Sequence, residues 1–274
     1  MIKNDTKYKF NLFVKNFAFL AFFFFFLSIF TLKSSKIDNF SKFYKKNSFS
    51  IIENQSFQCG ELLKYKISYG AQNKRGGVLL AAHAYLKAEK FKLNNEKTVY
   101  RLFGSGRTTN LFSLFFKVKH SYTSFINPTN MKTIKCSMKI KEGRYHKEEK
   151  TTFSKQENTN DVLGSFYKLR TISQEKLIKQ DTVFFSYYYG GKTYNSYFIN
   201  HGEEVLEIKF GNIKTIKCEP LLEKGRIFDS QKGAYVWITS DKMHIPIKLE
   251  IPILVGSLYV NLVSYENTVF DLNE

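Results

Sequence analysis

Apolar and polar residues alternate one by one along most of the chain beyond residue 56. The first run ends at Gly70, and a second run opens after Gly76 and Gly77. A period of two places every other side chain on the same face of an extended strand, so this pattern predicts β-strands with one buried and one solvated face. The apolar positions of the two runs are Leu63, Tyr65, Ile67 and Tyr69, then Val78, Leu80, Ala82, Ala84 and Leu86.

The same alternation continues towards the carboxyl terminus. Gly190-Gly191 and Gly211-Asn212 separate neighbouring runs and predict hairpin turns, because such turns often need positive φ angles, which glycine adopts readily. Each run is half apolar and half charged, which favours an antiparallel sheet over a buried parallel one. The further predicted strands cover residues 97–104, 112–125, 131–141, 144–154, 182–189, 192–200, 204–210, 213–219, 234–239, 245–251 and 256–270.

One segment follows a helical period instead. Between residues 160 and 179 the apolar residues recur at helical spacing, and Thr159, Asn160 and Asp161 each offer a side chain able to cap the start. A long sheet tends to curl and bury its edges, and a helix can cover the remaining apolar face. The expected fold is mainly β: a curved antiparallel sheet or open β-barrel of roughly ten to twelve strands with one helix packed on it. It forms a single domain over residues 57–270.

A strongly apolar segment lies near the amino terminus. Residues 17–32 contain only two polar side chains and follow four lysines. This composition is typical of an export signal or a membrane anchor, assigned here to residues 1–32, and predicts an apolar helix ahead of the sheet. No small-x-small cleavage pattern follows, so we favour an uncleaved anchor over residues 12–32, with 33–56 as a linker. The expected location is the cell envelope, on the exported, periplasmic side of the inner membrane.

The formal net charge of +18 raises the question of a nucleic-acid partner. Only six of the 42 basic residues are arginines, and the lysines are scattered along the chain. Arginine is the residue best suited to forked contacts with phosphates and guanine edges. We therefore expect no nucleic-acid partner.

Motifs of the common enzyme classes are missing from the sequence, including GxSxG, GxxxxGK[ST], GxGxxG after a strand and HExxH. The five histidines lie far apart and form no local metal-binding pair. Of the three cysteines, Cys136 and Cys218 fall on apolar faces, so we expect both as buried hydrophobic residues. One disulfide among Cys59, Cys136 and Cys218 is an open alternative, because spacing alone does not pair them. We predict no catalytic residue, no metal site and no cofactor.

Aromatic residues make up 17% of the chain and concentrate around the Gly190-Gly191 turn. We assign one face of this hairpin to Phe184, Tyr188, Tyr194 and Phe198, and the other to Phe185, Tyr187, Tyr189 and Tyr197. Rings on both faces let the hairpin pack on the helix and also contact a lipid, a partner or the membrane; the alternative is a coding bias towards phenylalanine. The candidate ligand-binding residues are Phe185, Tyr187, Tyr189, Tyr197 and Trp237, the last also being expected as a core residue.

Three segments together resemble a family of bacterial exported proteins, the one grouped as domain of unknown function 3108. They are Phe57-x-x-Gly60-Glu61-x-Leu63-x-Tyr65-x-Ile67-x-Tyr69-Gly70 with the Gly76-Gly77 turn, Asp161-Val162-Leu163-Gly164-Ser165-Phe166-Tyr167-x-Leu169-Arg170, and Trp237-Ile238-Thr239-x-Asp241-x-x-x-Ile245-Pro246-Ile247. The resemblance implies a β-rich, exported, single-domain protein with no assigned chemistry. Its plan also looks like that of lipoprotein carriers, which hold acyl chains.

Two polar features qualify this resemblance. An acidic position expected near the end of the 112–125 strand is occupied by Lys119-His120, which puts any role of that charge in doubt. Arg170 lies on a helix otherwise packed by apolar residues, and we expect Glu61 or Asp161 to hold it as an internal carboxylate.

We therefore predict a non-enzymatic, exported or membrane-anchored envelope protein that binds an acyl chain or a lipoprotein in its curved sheet. The membrane, through the amino-terminal segment, and a lipid or lipoprotein are the expected partners. The first alternative is a protein interaction or scaffold module without a small ligand. The second is a hydrolase, which would need a nucleophile and a base converging around His83, His120 or His201.

Overall fold

A computed structural model of the protein describes residues 56–70, 79–93, 97–154, 159–222, 233–253 and 256–272. The predicted anchor (1–32), nearly all of the predicted linker (33–56) and the Gly76-Gly77 turn lie outside these residues. Within the described ranges, no helix is both long and apolar enough to cross a membrane.

The described chain contains thirteen strands and three helices. The helices are α1 (Asn110–Ser113), α2 (Val162–Arg170) and α3 (Gln174–Lys179). The strands are β1 (Leu62–Gly70), β2 (Leu79–Leu93), β3 (Lys97–Thr108), β4 (Val118–Ile126), β5 (Thr133–Glu142), β6 (Tyr145–Thr152), β7 (Asn160–Asp161), β8 (Thr182–Tyr189), β9 (Lys192–Ile208), β10 (Gly211–Pro220), β11 (Tyr235–Thr239), β12 (Pro246–Pro252) and β13 (Ser257–Glu266).

All described strands belong to one sheet, in the order β6-β5-β4-β3-β2-β1-β13-β12-β11-β10-β9-β8-β7. Every pairing is antiparallel except the short one between β7 and β8. The prediction of a mainly β, antiparallel architecture is confirmed, with a few more strands than expected. The first and last strands, β1 and β13, pair near the middle of the sheet, and its two edges come from the middle of the sequence.

Three predicted elements were wrong in their extent. The strand predicted over 112–125 starts instead as helix α1, because the Thr109 hydroxyl accepts from the backbone N–H of Phe112. The predicted helix over 160–179 is two helices, because the Ser173 side chain starts α3 by accepting from Lys176. The runs 192–200 and 204–210 form a single strand, β9. Gly202, at φ +92°, absorbs a bulge there opposite the register shift in β10.

The two predicted glycine turns differ in outcome. Gly190 and Gly191 form the β8–β9 hairpin turn with positive φ angles, as predicted. The next turn lies at residues 209–210, and Gly211, at φ +104°, opens strand β10 and pairs with Ile208.

Helix α2 lies inside the curve of the sheet. It contacts β3 and β4 on one side and β7 and β8 on the other, and these strands are far apart in the sheet order. A sheet can touch both sides of one short helix only if it bends around it. Of the three predicted caps, Asp161 is the one used: its carboxylate accepts from the backbone N–H of Gly164 at 3.2 Å.

Side chains of β7, at one end of the sheet, form hydrogen bonds with strands near the other end. Among the described residues, no backbone pairing joins these two ends. The Asp161 carboxylate accepts hydrogen bonds from the hydroxyls of Ser124 in β4, at 2.5 Å, and Thr133 in β5, at 2.8 Å. The Asn160 side chain donates to the carbonyl of Met131 and accepts from the N–H of Thr133. Burial raises the pKa of Asp161, and these donors oppose that rise by stabilising its charged form.

The carboxyl end of α2 is held by a buried ion pair between Arg170 and Glu61. The Arg170 guanidinium donates to both Glu61 carboxylate oxygens, at 2.7 and 2.8 Å, and both side chains are almost fully buried. It also donates to the backbone carbonyls of Ser56 and Met243. Burial alone would lower the pKa of Arg170, but the Glu61 charge more than offsets this, and the net direction is upward. Of the two predicted partners, the structure therefore selects Glu61.

We expect Arg170→Met to lower the free energy of unfolding by about 3–5 kcal/mol, because it leaves the Glu61 carboxylate buried without a counter-charge. The double variant Glu61→Leu/Arg170→Met should recover at least part of this loss, since it buries no unpaired charge. Urea unfolding of the purified protein measures both effects.

The matched control is the exposed ion pair between Lys64, on the outer face of β1, and Glu266. Its nitrogen and oxygen lie 2.6 Å apart. Lys64→Met should cost less than about 1 kcal/mol, because solvent already screens this pair. A double variant no more stable than Arg170→Met would contradict the account of the buried pair.

Candidate ligand-binding cavity

A partly open apolar cavity of about 180 Å³ lies between α2 and the inner face of strands β8–β12. The helix contributes one wall, and the hairpin of β8 and β9 with the ends of β10–β12 contributes the other. The lining side chains are Val162, Leu163, Ser165, Phe166, Leu169, Arg170, Leu177, Phe185, Tyr187, Ser196, Phe198, Cys218, Pro220, Val236, Ile238, His244, Pro246 and Leu249.

The cavity lies between two hydrophobic clusters, and residues of both clusters line it. The larger cluster contains Val162, Leu163 and Tyr187, and the smaller one contains Leu177 and Cys218. Several aromatic and aliphatic side chains that line the cavity are only half-buried, although they face the inside of the sheet. These are Phe166, Leu169, Phe185, Phe198, Val236 and Ile238.

The polar groups in the lining are mostly engaged with the protein itself. Arg170 is committed to Glu61 and two carbonyls, and the Ser165 hydroxyl donates to the carbonyl of Ser186 at 3.0 Å. The exception is His244. Its Nδ1 lies 2.8 Å from the carbonyl oxygen of Arg170, so this nitrogen must carry the proton and donate.

The other ring nitrogen of His244, Nε2, therefore carries a lone pair. It is buried and has no hydrogen-bond partner among the residues that the structure describes. Burial lowers the pKa of His244, partly opposed by the Arg170 carbonyl and the Asp241 charge, so the neutral ring is favoured. His244 is thus a neutral ring beside the cavity, and its Nε2 is closed off from solvent.

A tight turn holds His244 in place. The Asp241 carboxylate accepts from the backbone N–H groups of Met243 and His244 and from the hydroxyl of Thr239. His244 itself has φ +45°, a left-handed conformation that is uncommon for a residue with a side chain. This turn places the histidine beside the end of α2, within reach of the Arg170 carbonyl.

Two of the five predicted ligand-binding residues, Phe185 and Tyr187, line this cavity. Tyr189 lines a separate recess of about 20 Å³ near the gap between the sheet ends. Trp237 is buried away from the cavity, where its indole donates to Glu204. Tyr197 pairs across the hairpin with Phe184.

The predicted faces of Tyr194, Tyr197 and Phe198 relative to β8 were all wrong, and the turn explains why. With Gly190-Gly191 as a two-residue turn, Tyr189 pairs with Lys192, so odd-numbered residues of β8 share a face with even-numbered residues of β9. The inner face therefore joins Phe185 and Tyr187 to Tyr194 and Phe198, while Tyr197 shares the outer face with Phe184 and Tyr188.

The histidines considered for a hydrolase lie apart from one another. His120 is buried with Nε2 3.0 Å from a Glu142 oxygen, His201 bonds to Glu219 at 2.8 Å, and His83 is exposed. Within the described chain, no hydrogen bond joins a ring nitrogen of these histidines to a serine or cysteine side chain, and no group of three or more potential metal ligands occurs.

All three cysteines are free thiols. Cys218 is buried, as predicted, and burial raises its pKa to about 12. Cys136 is only half-buried, and burial again raises its pKa. Thiols with raised pKa values are poor nucleophiles. Cys59 is exposed.

His244 was not singled out from the sequence, because its role depends on a turn and a helix end 74 residues apart. Its lowered pKa gives a test. A depressed folded-state pKa means that the unfolded chain binds the proton more readily, so stability is full above about pH 6.5 and falls as the pH drops through the folded-state value.

We expect the stability of the wild-type protein to decline more steeply below pH 6.5 than that of His244→Asn, an amide that tolerates the left-handed backbone. Urea unfolding across this pH range measures the difference. His146→Asn, which removes an exposed ring of β6, is the control for losing a histidine. Parallel pH profiles for the wild type and His244→Asn would refute the buried neutral ring.

Comparison with known proteins gives a family match and similarities to solved structures. No curated protein matches the chain. A crystal structure of a beta-barrel-like protein of domain of unknown function DUF1849 from Brucella abortus is similar at 8% sequence identity and a TM-score of 0.43, covering 79% of this chain and all of that one. The family model described as protein of unknown function (DUF3108) matches residues 64–263. The chain therefore belongs to the DUF3108 family.

Proposed function

We propose that this protein is a non-enzymatic binding protein of the cell envelope, exported or membrane-anchored, that holds an acyl chain in the cavity between α2 and strands β8–β12. The observation that carries the proposal is the cavity itself. It lies where a protein of this size would normally continue its packed core, and apolar side chains dominate its wall.

The energetic cost of such a space supports a ligand. Apolar side chains that line an unfilled space lose the van der Waals contacts that a packed core would give them, and several of them here stay half-buried. An aliphatic group that entered the cavity would recover contacts with both clusters and cover the half-buried rings.

The size and chemistry of the cavity restrict the kinds of ligand that it could hold. At about 180 Å³ it is slightly larger than the engineered cavity of roughly 150 Å³ that binds benzene, and smaller than drug-sized pockets of about 300–1,000 Å³. It suits the end of a slender aliphatic chain.

The proposed location rests on the amino-terminal segment. The apolar run 17–32 and the lysines before it favour export, with residues 12–32 as an anchor in the inner membrane. A binding cavity on the periplasmic side would then lie close to the source of acyl chains.

Filling the cavity tests the binding function. Val236 lines the cavity from β11 and is half-buried, so Val236→Phe should occupy the ligand's space. We expect the full chain purified from an envelope to carry extractable aliphatic lipid, measured by mass spectrometry, and Val236→Phe to lose it. Without ligand the variant should be as stable as the wild type or more so, by about 0.5–2 kcal/mol.

The matched control is Val205→Phe, the same substitution at an exposed position of β9 outside the cavity. This variant should keep its lipid. Lipid retained by Val236→Phe, or a wild-type chain that neither carries lipid nor takes up a fluorescent fatty acid, would overturn the acyl-chain proposal.

A further inference from the structure

A row of basic side chains crosses the outer face of strands β1–β5. The register places Lys66 opposite His83, His83 opposite Arg107, Arg107 opposite Lys119, and Lys119 opposite Lys141. We call these five residues the basic row. Adjacent strands are about 4.8 Å apart, so the row is about 19 Å long.

The basic row lacks the carboxylates that accompany cations elsewhere on the sheet. Lys64, Arg101 and Lys139, on the outer face of the same strands, each form an ion pair with a glutamate. Among the described residues, no ion pair joins a carboxylate to any lysine or arginine of the basic row.

Like charges directly opposite one another destabilise a sheet, so this arrangement has an energetic cost. Four of the five residues, all but Lys66, line one open basin together with Lys117 and the hydroxyl-bearing residues at the start of α1, and no acidic residue lines it. The neighbouring charges of Lys66 and Arg107 add to burial in lowering the pKa of His83, which is consistent with an uncompensated positive potential.

Exposed apolar side chains stand beside this row. Leu111, Leu114 and Phe115 lie in and just after α1 with more than half of their surface exposed, and Leu114 reaches 81%. Leu79 and Leu80 at the start of β2 are also exposed, and Thr109 ties α1 to them by hydrogen bonds to the carbonyls of Leu80 and Ala81. We call these residues the apolar edge: Leu79, Leu80, Leu111, Leu114 and Phe115.

In three strands, a residue of the basic row lies within a few residues of the apolar edge in the sequence. Arg107 precedes α1 by a few residues, Lys119 follows Phe115 closely, and His83 follows Leu80. From this juxtaposition we propose that this end of the sheet docks on an anionic lipid bilayer. The leucines and Phe115 enter the acyl boundary, and the basic row meets the phosphates of the headgroups.

Charge and hydrophobicity together favour a membrane over a soluble polyanion. Basic residues near an anionic leaflet contribute about 1 kcal/mol each, and exposed aliphatic side chains gain by entering the interface. A nucleic acid would use the cations but leave the leucines in water, and it would favour arginine forks, of which the row has one. This surface is separate from the cavity and does not depend on the acyl-chain proposal.

The test places a tryptophan at the apolar edge. The full chain with Leu114→Trp is reconstituted with vesicles of phosphatidylcholine, with or without phosphatidylglycerol, that carry a quencher on their acyl chains. We expect quenching of the new tryptophan only when phosphatidylglycerol is present, and loss of quenching at high salt. Ile178→Trp on α3, about half exposed and outside the apolar edge, is the matched control and should stay unquenched.

Charge variants test whether the basic row causes the docking on anionic vesicles. Lys119→Gln/Lys141→Gln, made in the Leu114→Trp chain, should weaken docking roughly 30-fold, as expected for two lysines at about 1 kcal/mol each. Lys64→Gln/Lys139→Gln removes the same charge from positions already paired with glutamates and should have a much smaller effect.

Each remaining outcome overturns the proposal. Equal quenching at positions 114 and 178, or quenching independent of phosphatidylglycerol, would mean that the anchor alone brings the chain to the vesicle. Binding of heparin through Lys119 and Lys141 without any quenching of the tryptophan at 114 would assign the row to a soluble polyanion.

Discussion

The ion pair between Glu61 and Arg170 determines where helix α2 can lie. Each charge is buried, and each would be strongly unfavourable without the other, so the helix end must meet the residue just before β1. At its other end the same helix begins at Asp161, whose carboxylate joins β4 and β5. Two polar anchors fix the ends of the helix, and the buried side chains of Val162, Leu163 and Tyr167 pack between them.

This mode of attachment explains why the interior is divided. A helix fixed by apolar packing would sink until its side chains met those of the opposite strands. Because its two ends are held by directional bonds, to β4 and β5 at one end and to the residue before β1 at the other, α2 keeps its distance from β10–β12 along one side. Phe166 and Leu169 then remain half-buried, and the cavity lies beneath them.

The sequence allowed most of the strands to be predicted, since a two-residue period survives wherever one face is buried and the other is wet. It failed where an exposed apolar residue continues that period into a helix end, as at Leu114 just after α1, and where a bulge at Gly202 carries a strand through an apparent break.

The candidate sites were harder to predict, because they depend on which strands become neighbours. The position of His244 over α2 and the alignment of Lys66 with Lys141 across five strands follow from pairing register, which no local pattern in the chain encodes. Glu61 was recognisable as a partner of Arg170 only because few internal carboxylates were available to a helix of this composition.

Because β1 pairs with β13, the sheet can be completed only when nearly the whole polypeptide is present. Leu63 and Tyr265 are neighbours across the ladder, so the middle of the sheet can be completed only after the carboxyl-terminal strand has been synthesised. Contacts of such long sequence separation make folding slow, because the entropy of closing the loop is lost before they form. Until then β1 has an open backbone edge, the feature of a sheet that most readily pairs with another chain.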